Sequence, residues 1–311
     1  MKHNLRAGTV QFIFGNREKS GALKIFLTYF VLIALGFVTL YPIIYMIVNS
    51  FFSADDLVNP AVTWVPSYLC FENYRQAFET LDFGKSLMTS FIMTLVPVLF
   101  QTFSTALVGF GLARFEFPLK KLWLVLIVLT FLIPTQVMTI PRYSMYYSYG
   151  MLNTPFPSFL PALFGVGIRS TVFILIFYQF FCSYPIAFDE AAELDGAGKF
   201  TIFRKIALPC AEGAVVLTFL FSFVWYWNET TDANLFANNI KTLPLMLQNF
   251  AARYSALYDG GGIDGSGSVV NQLNEAISLA GTVLSILPSV IIYLVLQKRF
   301  VESIERSGVV G

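Results

Sequence analysis

Apolar positions in this chain run on in long unbroken stretches, and six stretches approach the length of a bilayer-spanning helix: 25–50, 86–112, 122–141, 158–181, 214–236 and 276–296. A hydrocarbon layer offers backbone amides no water, so helices are the default way across it. A transmembrane barrel would alternate apolar and polar positions in short segments, whereas residues 122–134 are apolar nearly without a break. The first run is too long for a signal-peptide core and follows a 24-residue polar leader, so no cleavage is expected. The pattern predicts an all-α, polytopic membrane protein with an N-terminal segment at 1–24, six transmembrane helices within 25–297 and a tail at 298–311.

Lysine and arginine near span ends set the orientation, because short loops rich in them stay in the cytoplasm. Lys2, Arg6, Arg17, Lys19 and Lys24 precede the first span, Arg114, Lys120 and Lys121 join the second and third, Lys199, Arg204 and Lys205 join the fourth and fifth, and Lys298, Arg299 and Arg306 follow the sixth. The opposite loops carry Arg75, Lys85, Arg142, Lys241 and Arg253. Both termini are therefore expected in the cytoplasm. The outside loops 51–85 and 237–275 are long; the first carries five acids, Asp55, Asp56, Glu72, Glu79 and Asp82, and the second holds a glycine-rich tract at 259–268. Such loops meet partners or act as solvated connectors.

Composition narrows the chemistry. Hydrophobic residues make up 56% of the 311, charged residues 13%, and the net charge is +1, so lipid is the solvent and the basic footprint of a nucleic-acid binder is missing. Cys70, Cys182 and Cys210 form no CxxC pair, and the single histidine, His3, has no second histidine to share a metal or a proton relay, so neither a metal site nor a catalytic residue is expected. The stretch Gly15-Asn-Arg-Glu-Lys-Ser20 lacks the glycine that precedes a P-loop lysine and leads into a span, so no nucleotide or other cofactor is expected on this chain.

The inside loop at 183–209 is patterned unlike the others. It opens Ser183-Tyr-Pro-Ile-Ala-Phe-Asp-Glu-Ala-Ala-Glu-Leu-Asp-Gly196 and predicts helix, turn and helix. Pro185 suits a first helical turn, Asp189 and Glu190 suit the positive N-terminal end, and Gly196 suits a left-handed cap. Ala187, Ala191 and Leu194 share a face of mostly small side chains fit for close approach to another protein, with Asp189 and Glu193 pointing elsewhere. A second piece, 199–208, is expected to stop at Pro209.

The spacing Glu190-Ala191-Ala192, three residues, Gly196, nine residues, Ile206, one residue, Leu208-Pro209 resembles the EAA loop of ABC importer permeases. The run Glu190 to Gly196, Trp227-Asn228, Thr242-Leu-Pro244 and the stretch from Leu296 to Val301 resemble the carbohydrate-uptake branch, of the maltose-transporter small-permease type, over about 25–311. The resemblance implies a type I importer fold and a heterodimer with a second homologous permease. It also implies two cytoplasmic ATPase subunits that use ATP and Mg, an extracytoplasmic solute-binding protein and a carbohydrate substrate moved by alternating access. It assigns ATPase coupling to Glu190, Ala191, Ala192, Leu194, Asp195 and Gly196. After Trp227-Asn228-Glu229 the chain departs from the family, with Thr230-Thr-Asp232 where apolar residues and proline are usual.

Polar residues inside the spans are the candidates for a substrate path. Trp225, Asn228 and Asp232 follow at helical spacing, with Glu229 beside them, and pairing an aromatic with an amide or carboxylate is how proteins hold sugars. Arg169 falls within the fourth span, where an unpaired charge costs about 2.5 kcal/mol or more. It either snorkels to the outer headgroups or faces the cavity, toward Glu229 or Asp232. The rival reading is an ion-coupled secondary carrier of a small polar solute, which would be expected to hold more intramembrane acids and an internal repeat.

Overall fold

The computed structural model describes residues 15–16, 19–20, 22–258 and 273–308. The glycine-rich tract at 259–268 lies outside the described residues. Those that are described are helical, apart from their loops and an antiparallel pairing of Gly15–Asn16 with Lys19–Ser20. The chain divides into two compact units, residues 1–77 with 264–283, and residues 78–263 with 284–311.

In the first unit, helix α1 (Ala22–Asn49) is exposed along nearly its whole length, with only Asn49 buried. A helix apolar on all sides and uncovered by protein wants hydrocarbon around it. At its C-terminal end the chain is tied down by side chains: Asn73 Nδ2 donates to the carbonyls of Ser50 and Phe52 at 2.9 and 2.8 Å. Ser53 and Asp56 form a capping box, and Asp56 also accepts the Ser67 hydroxyl at 2.6 Å.

The second unit is built around α2 (Phe83–Arg114). Its buried face repeats small or polar residues at about one-turn spacing, among them Ser86, Ser90, Thr94, Gln101 and Thr105. These hydroxyls need no water. Thr102 and Thr105 donate to their own helix, to Val98 and Gln101 carbonyls at 2.8 and 2.6 Å, while Ser104 Oγ reaches the Ala162 carbonyl at 2.7 Å. Small residues let helices approach closely. At Gly109 a Cβ would stand 2.6 Å from the Cβ of Phe177, on the helix packed against it.

The unit also holds α3 (Lys120–Leu132), α4 (Thr139–Ser148), α5 (Phe156–Leu163), α6 (Ser170–Ser183), α7 (Ala187–Leu194), α8 (Glu212–Trp227) and α9 (Thr231–Phe236), of which α5, α6 and α8 pack along α2. The long closing helix, α10 (Glu275–Gly308), belongs by its first residues to the first unit and by the rest to the second. Among the described residues three helices are long and apolar enough to cross a membrane, Ala22–Asn49, Phe83–Arg114 and Glu275–Lys298, and three bent helix pairs bring the total to as many as six.

Breaks within three of the apolar runs correct the expectation of unbroken spans. The third run breaks at Pro134, which has no N–H and forces Ile133 out of the helical region, and the chain resumes 91° away. The fourth breaks between Leu163 and Ser170, where Gly165 (φ +72°) and Arg169 (φ +53°) are left-handed. The fifth stops at Trp227, ahead of the polar run from Asn228. With 14 residues α6 is about 21 Å long, short of a hydrocarbon core of about 30 Å, so α5 and the break supply the rest of that crossing. The second inside piece is corrected too. It runs from Lys199 through Pro209 to Cys210, because a π-helical turn at Phe203–Ala207 absorbs the proline's missing donor.

Candidate functional site

At one end of α2 the rings of Phe110, Phe177, Phe181 and Phe203 pack into a buried cluster, with Phe110 edge-on to Phe181 at 5.4 Å. Helix α7 sits on that cluster. Tyr184, extended because a proline follows it, ends α6, and Pro185 stands just ahead of the α7 cap Ile186 rather than inside the helix. The far end closes as a Schellman motif: Gly196 N–H donates to Glu193 and Ala197 N–H to Ala192, both at 2.9 Å. Gly196 has φ +81°, so the turn needs glycine for its conformation; a Cβ there would touch nothing.

The face of α7 is set by an ion pair the loop pattern does not reveal. Asp189 is buried, and its Oδ2 lies 3.1 Å from Nε of Arg114, the last residue of α2. Arg114 also donates from Nη2 to the Tyr184 carbonyl at 2.7 Å, and its Cζ stands over the Tyr184 ring, 4.1 Å from the ring centre. Burial pushes the Asp189 carboxyl above its ordinary range, and the Arg114 guanidinium opposes that only in part. With Asp189 and Ala192 turned inward, Glu190, Ala191, Leu194, Asp195 and Gly196 are outward, and Leu194 is 89% exposed. Ala192 thus departs from the expected coupling surface: it packs inside, with Phe110 and Phe203. Ile186, Phe188 and Phe200 are also exposed, leaving an apolar patch around the helix of the kind that marks an interaction surface.

The substrate-path candidates are arranged differently from the expected helical face. Because α8 ends at Trp227, Trp225, Asn228 and Asp232 do not share one. Asn228 is exposed and its amide donates to the Val224 carbonyl at 2.8 Å. Glu229 accepts the Asp232 N–H at 2.8 Å, and Asp232 is held by Arg142, at 2.6 Å from NH2 and 3.4 Å from NH1. Arg169 therefore does not pair with Glu229 or Asp232; its guanidinium lies over the Trp225 ring at 4.7 Å. Trp227 is core, its indole N–H donating to the Ser285 carbonyl at 3.3 Å.

A polar knot fixes the break beside Arg169, and sequence reasoning passed it over. Gln101 Nε2 donates to the Ile168 carbonyl and to Ser222 Oγ at 3.0 and 2.9 Å, while its Oε1 accepts from Ser170 and Tyr226 hydroxyls at 3.3 and 2.9 Å. An amide in mid-span was the available signal, since polar groups at membrane depth are expensive and seldom idle.

A helical chain with helices apolar enough for lipid and a short, outward-facing helix between two of them defines a class, the membrane permease. Residues 105–306 match the family described as binding-protein-dependent transport system inner membrane component, and the chain belongs to that family. It is a transporter subunit and not an enzyme, and membership sets aside the ion-coupled carrier. It is 30% identical over 273 residues to the probable ABC transporter permease protein YurM of Bacillus subtilis, covering 87% of this chain and 84% of that one. To the polygalacturonan/rhamnogalacturonan transport system permease protein YtcP of the same organism it is 26% identical, covering 92% and 97%. Its fold matches a chain of a crystal structure of a bacterial ABC transporter involved in the import of the acidic polysaccharide alginate, with a TM-score of 0.72 and 22% identity over 91% of this chain and 99% of that one.

Proposed function

We propose that this chain is one of two homologous permeases in a heterodimer that imports a sugar or oligosaccharide, driven by two cytoplasmic ATPases that use ATP and Mg and supplied by an extracytoplasmic binding protein. Both termini lie in the cytoplasm. The observation that carries the reading is the seat of α7: a short helix with Leu194 thrust outward, anchored at Asp189 to the end of α2 and capped at Gly196. A helix held at both ends transmits a push from its partner into the spans, where a loose loop would absorb it. Glu190, Ala191, Leu194, Asp195 and Gly196 form the coupling surface, with Ala192 as its inner support. Saccharides named for similar proteins support the sugar, as do Trp225 and the polar groups Asn228, Glu229, Asp232 and Arg169 around the broken spans.

The test is purification of the complex through a tag on this chain. The ATPases should be retained by the wild type and lost with Ala191→Trp, which fills the close-contact face, and cells without the gene should lose uptake of one class of oligosaccharide. Retention of the ATPases by Ala191→Trp with full stimulated hydrolysis would remove the support for this coupling surface.

A further inference from the structure

Arg114, Arg142 and Arg253 of the second unit each meet an oxygen of the chain. Arg169 does not. Its side chain is exposed, one face of its guanidinium lies over Trp225, and its N–H edge finds no acceptor among the described residues. The residue stands at the outer end of α6, about 21 Å along the helix from the end that leads to α7, which is membrane depth and no place for an idle cation.

The backbone that presents it is held on both sides. Ile168 donates its N–H to the Tyr226 hydroxyl at 3.2 Å and gives its carbonyl to Gln101, and Ser170 bonds Gln101 from the other side. At Gly167 a side chain would have to displace the polar ends of Gln101 and Tyr226 that hold this turn. Between these fixed points Arg169 itself sits at φ +53°, a conformation a non-glycine residue keeps only when its surroundings impose it. The half-buried Trp225 ring, itself against Phe173 at 5.3 Å, then backs the guanidinium. A cation so positioned and unpaired is a prepared anion subsite.

We propose that Arg169, oriented by Trp225, binds the carboxylate of an acidic sugar, so that this permease selects uronate-bearing saccharides over neutral ones. The proposal deepens the sugar-import reading and rests on it. A planar fork of N–H donors matches a planar carboxylate in two parallel hydrogen bonds, and a single cation balances a single negative charge. A phosphate dianion would call for more donors than one guanidinium edge supplies. A phospholipid headgroup offers the same anionic oxygens from another source, and the experiment must separate the two.

The test uses the assembled importer in nanodiscs and reads tryptophan emission as ligand is added. The probes are two matched pairs that differ at C6, galacturonate with galactose and glucuronate with glucose. In the wild type the acid of at least one pair should bind about ten-fold or more tightly than its neutral partner. Arg169→Gln should erase that preference, and retention of the ATPases with an unchanged unfolding midpoint shows that the variant is folded. Arg169→Lys should retain part of it, and Trp225→Phe should weaken the acid more than the neutral sugar. Equal affinity for acid and neutral sugar, or a preference that survives Arg169→Gln, would overturn the proposal and leave sugar import standing. Failure of both acids to bind would likewise overturn the proposal and leave oligosaccharide import standing. Repeating the titration in phosphatidylcholine and in phosphatidylglycerol discs gives the last arm: bound phosphatidylglycerol lost on Arg169→Gln, with no change in sugar preference, would assign the site to lipid and overturn the proposal.

Discussion

Replacing Arg114 by Met keeps an unbranched apolar stem, removes the guanidinium and strands Asp189, whose side chain is only 9% exposed. Removing one partner of a buried pair costs about 3–5 kcal/mol, and a seat at the edge of the protein lowers this to about 2–3 kcal/mol. At about 1.4 kcal/mol per factor of ten, the seated form of α7 loses about 30- to 150-fold against displaced forms. ATP hydrolysis stimulated by loaded binding protein should fall accordingly in proteoliposomes, while insertion of the membrane subunits and basal hydrolysis persist. Part of the loss comes from the Tyr184 carbonyl, which Arg114 also bonds. Adding Asp189→Asn to Arg114→Met removes the stranded charge without touching that part, so the double variant should recover at least about 1 kcal/mol of the loss. The pH dependence has a definite sign. Burial already raises the Asp189 carboxyl, and without Arg114 it rises further. A carboxyl with a raised value in the seated form binds its proton more tightly there, so seating is favoured at acid pH and lost as pH rises through the raised value. Stimulated hydrolysis by Arg114→Met should therefore recover as the pH is lowered, more than in the wild type. No rescue by Asp189→Asn, together with a pH profile parallel to the wild type, would refute the ion pair as the seat of the helix.

Three further outcomes follow from the same contacts. At Gly196 the cost is conformational alone, so coupling should fall in the order Asn, Ala, Val as the tolerance for positive φ falls, with about 1 kcal/mol for Ala, read by ATPase co-purification. Gly109→Ala puts a Cβ 2.6 Å from Phe177 and 2.9 Å from the Tyr178 nitrogen and should cost about 1–3 kcal/mol, seen as a lower unfolding midpoint of the purified complex; an unchanged midpoint would mean α2 and α6 can separate freely. With Cys70, Cys182 and Cys210 changed to Ser, a cysteine at position 55 should react with a membrane-impermeant maleimide, whereas one at position 194 should need a permeant reagent; the reverse pattern would invert the topology.

How much of this was legible in the sequence depended on the range of each signal. Averaged apolarity placed α1 and α2 within a few residues and the start of α10 within one, because those helices are continuous and hydrocarbon asks nothing of them but length. The same averaging ran straight through the three breaks. Leu163 to Ser170 is as apolar as a span should be, and what breaks it is backbone conformation at Gly165 and Arg169, to which hydropathy is blind. The Gly196 cap was readable because a Schellman motif is local, six residues from the Ala192 carbonyl to the Ala197 N–H. The helix face was readable only in part. Spacing put Ala191 and Leu194 outward, but the inward turn of Ala192 is decided by Arg114, 75 positions from Asp189 in the chain, and no local pattern joins those two. The same reason hid Arg142 as the partner of Asp232 and Gln101 as the anchor of the Arg169 turn. Charge counting had already recorded Arg114 and Arg142 as loop cations that orient the protein. Their second role is set by partners that only the packed helices bring within reach, and the pairing of Arg142 with Asp232 leaves Arg169 with its donors unspent.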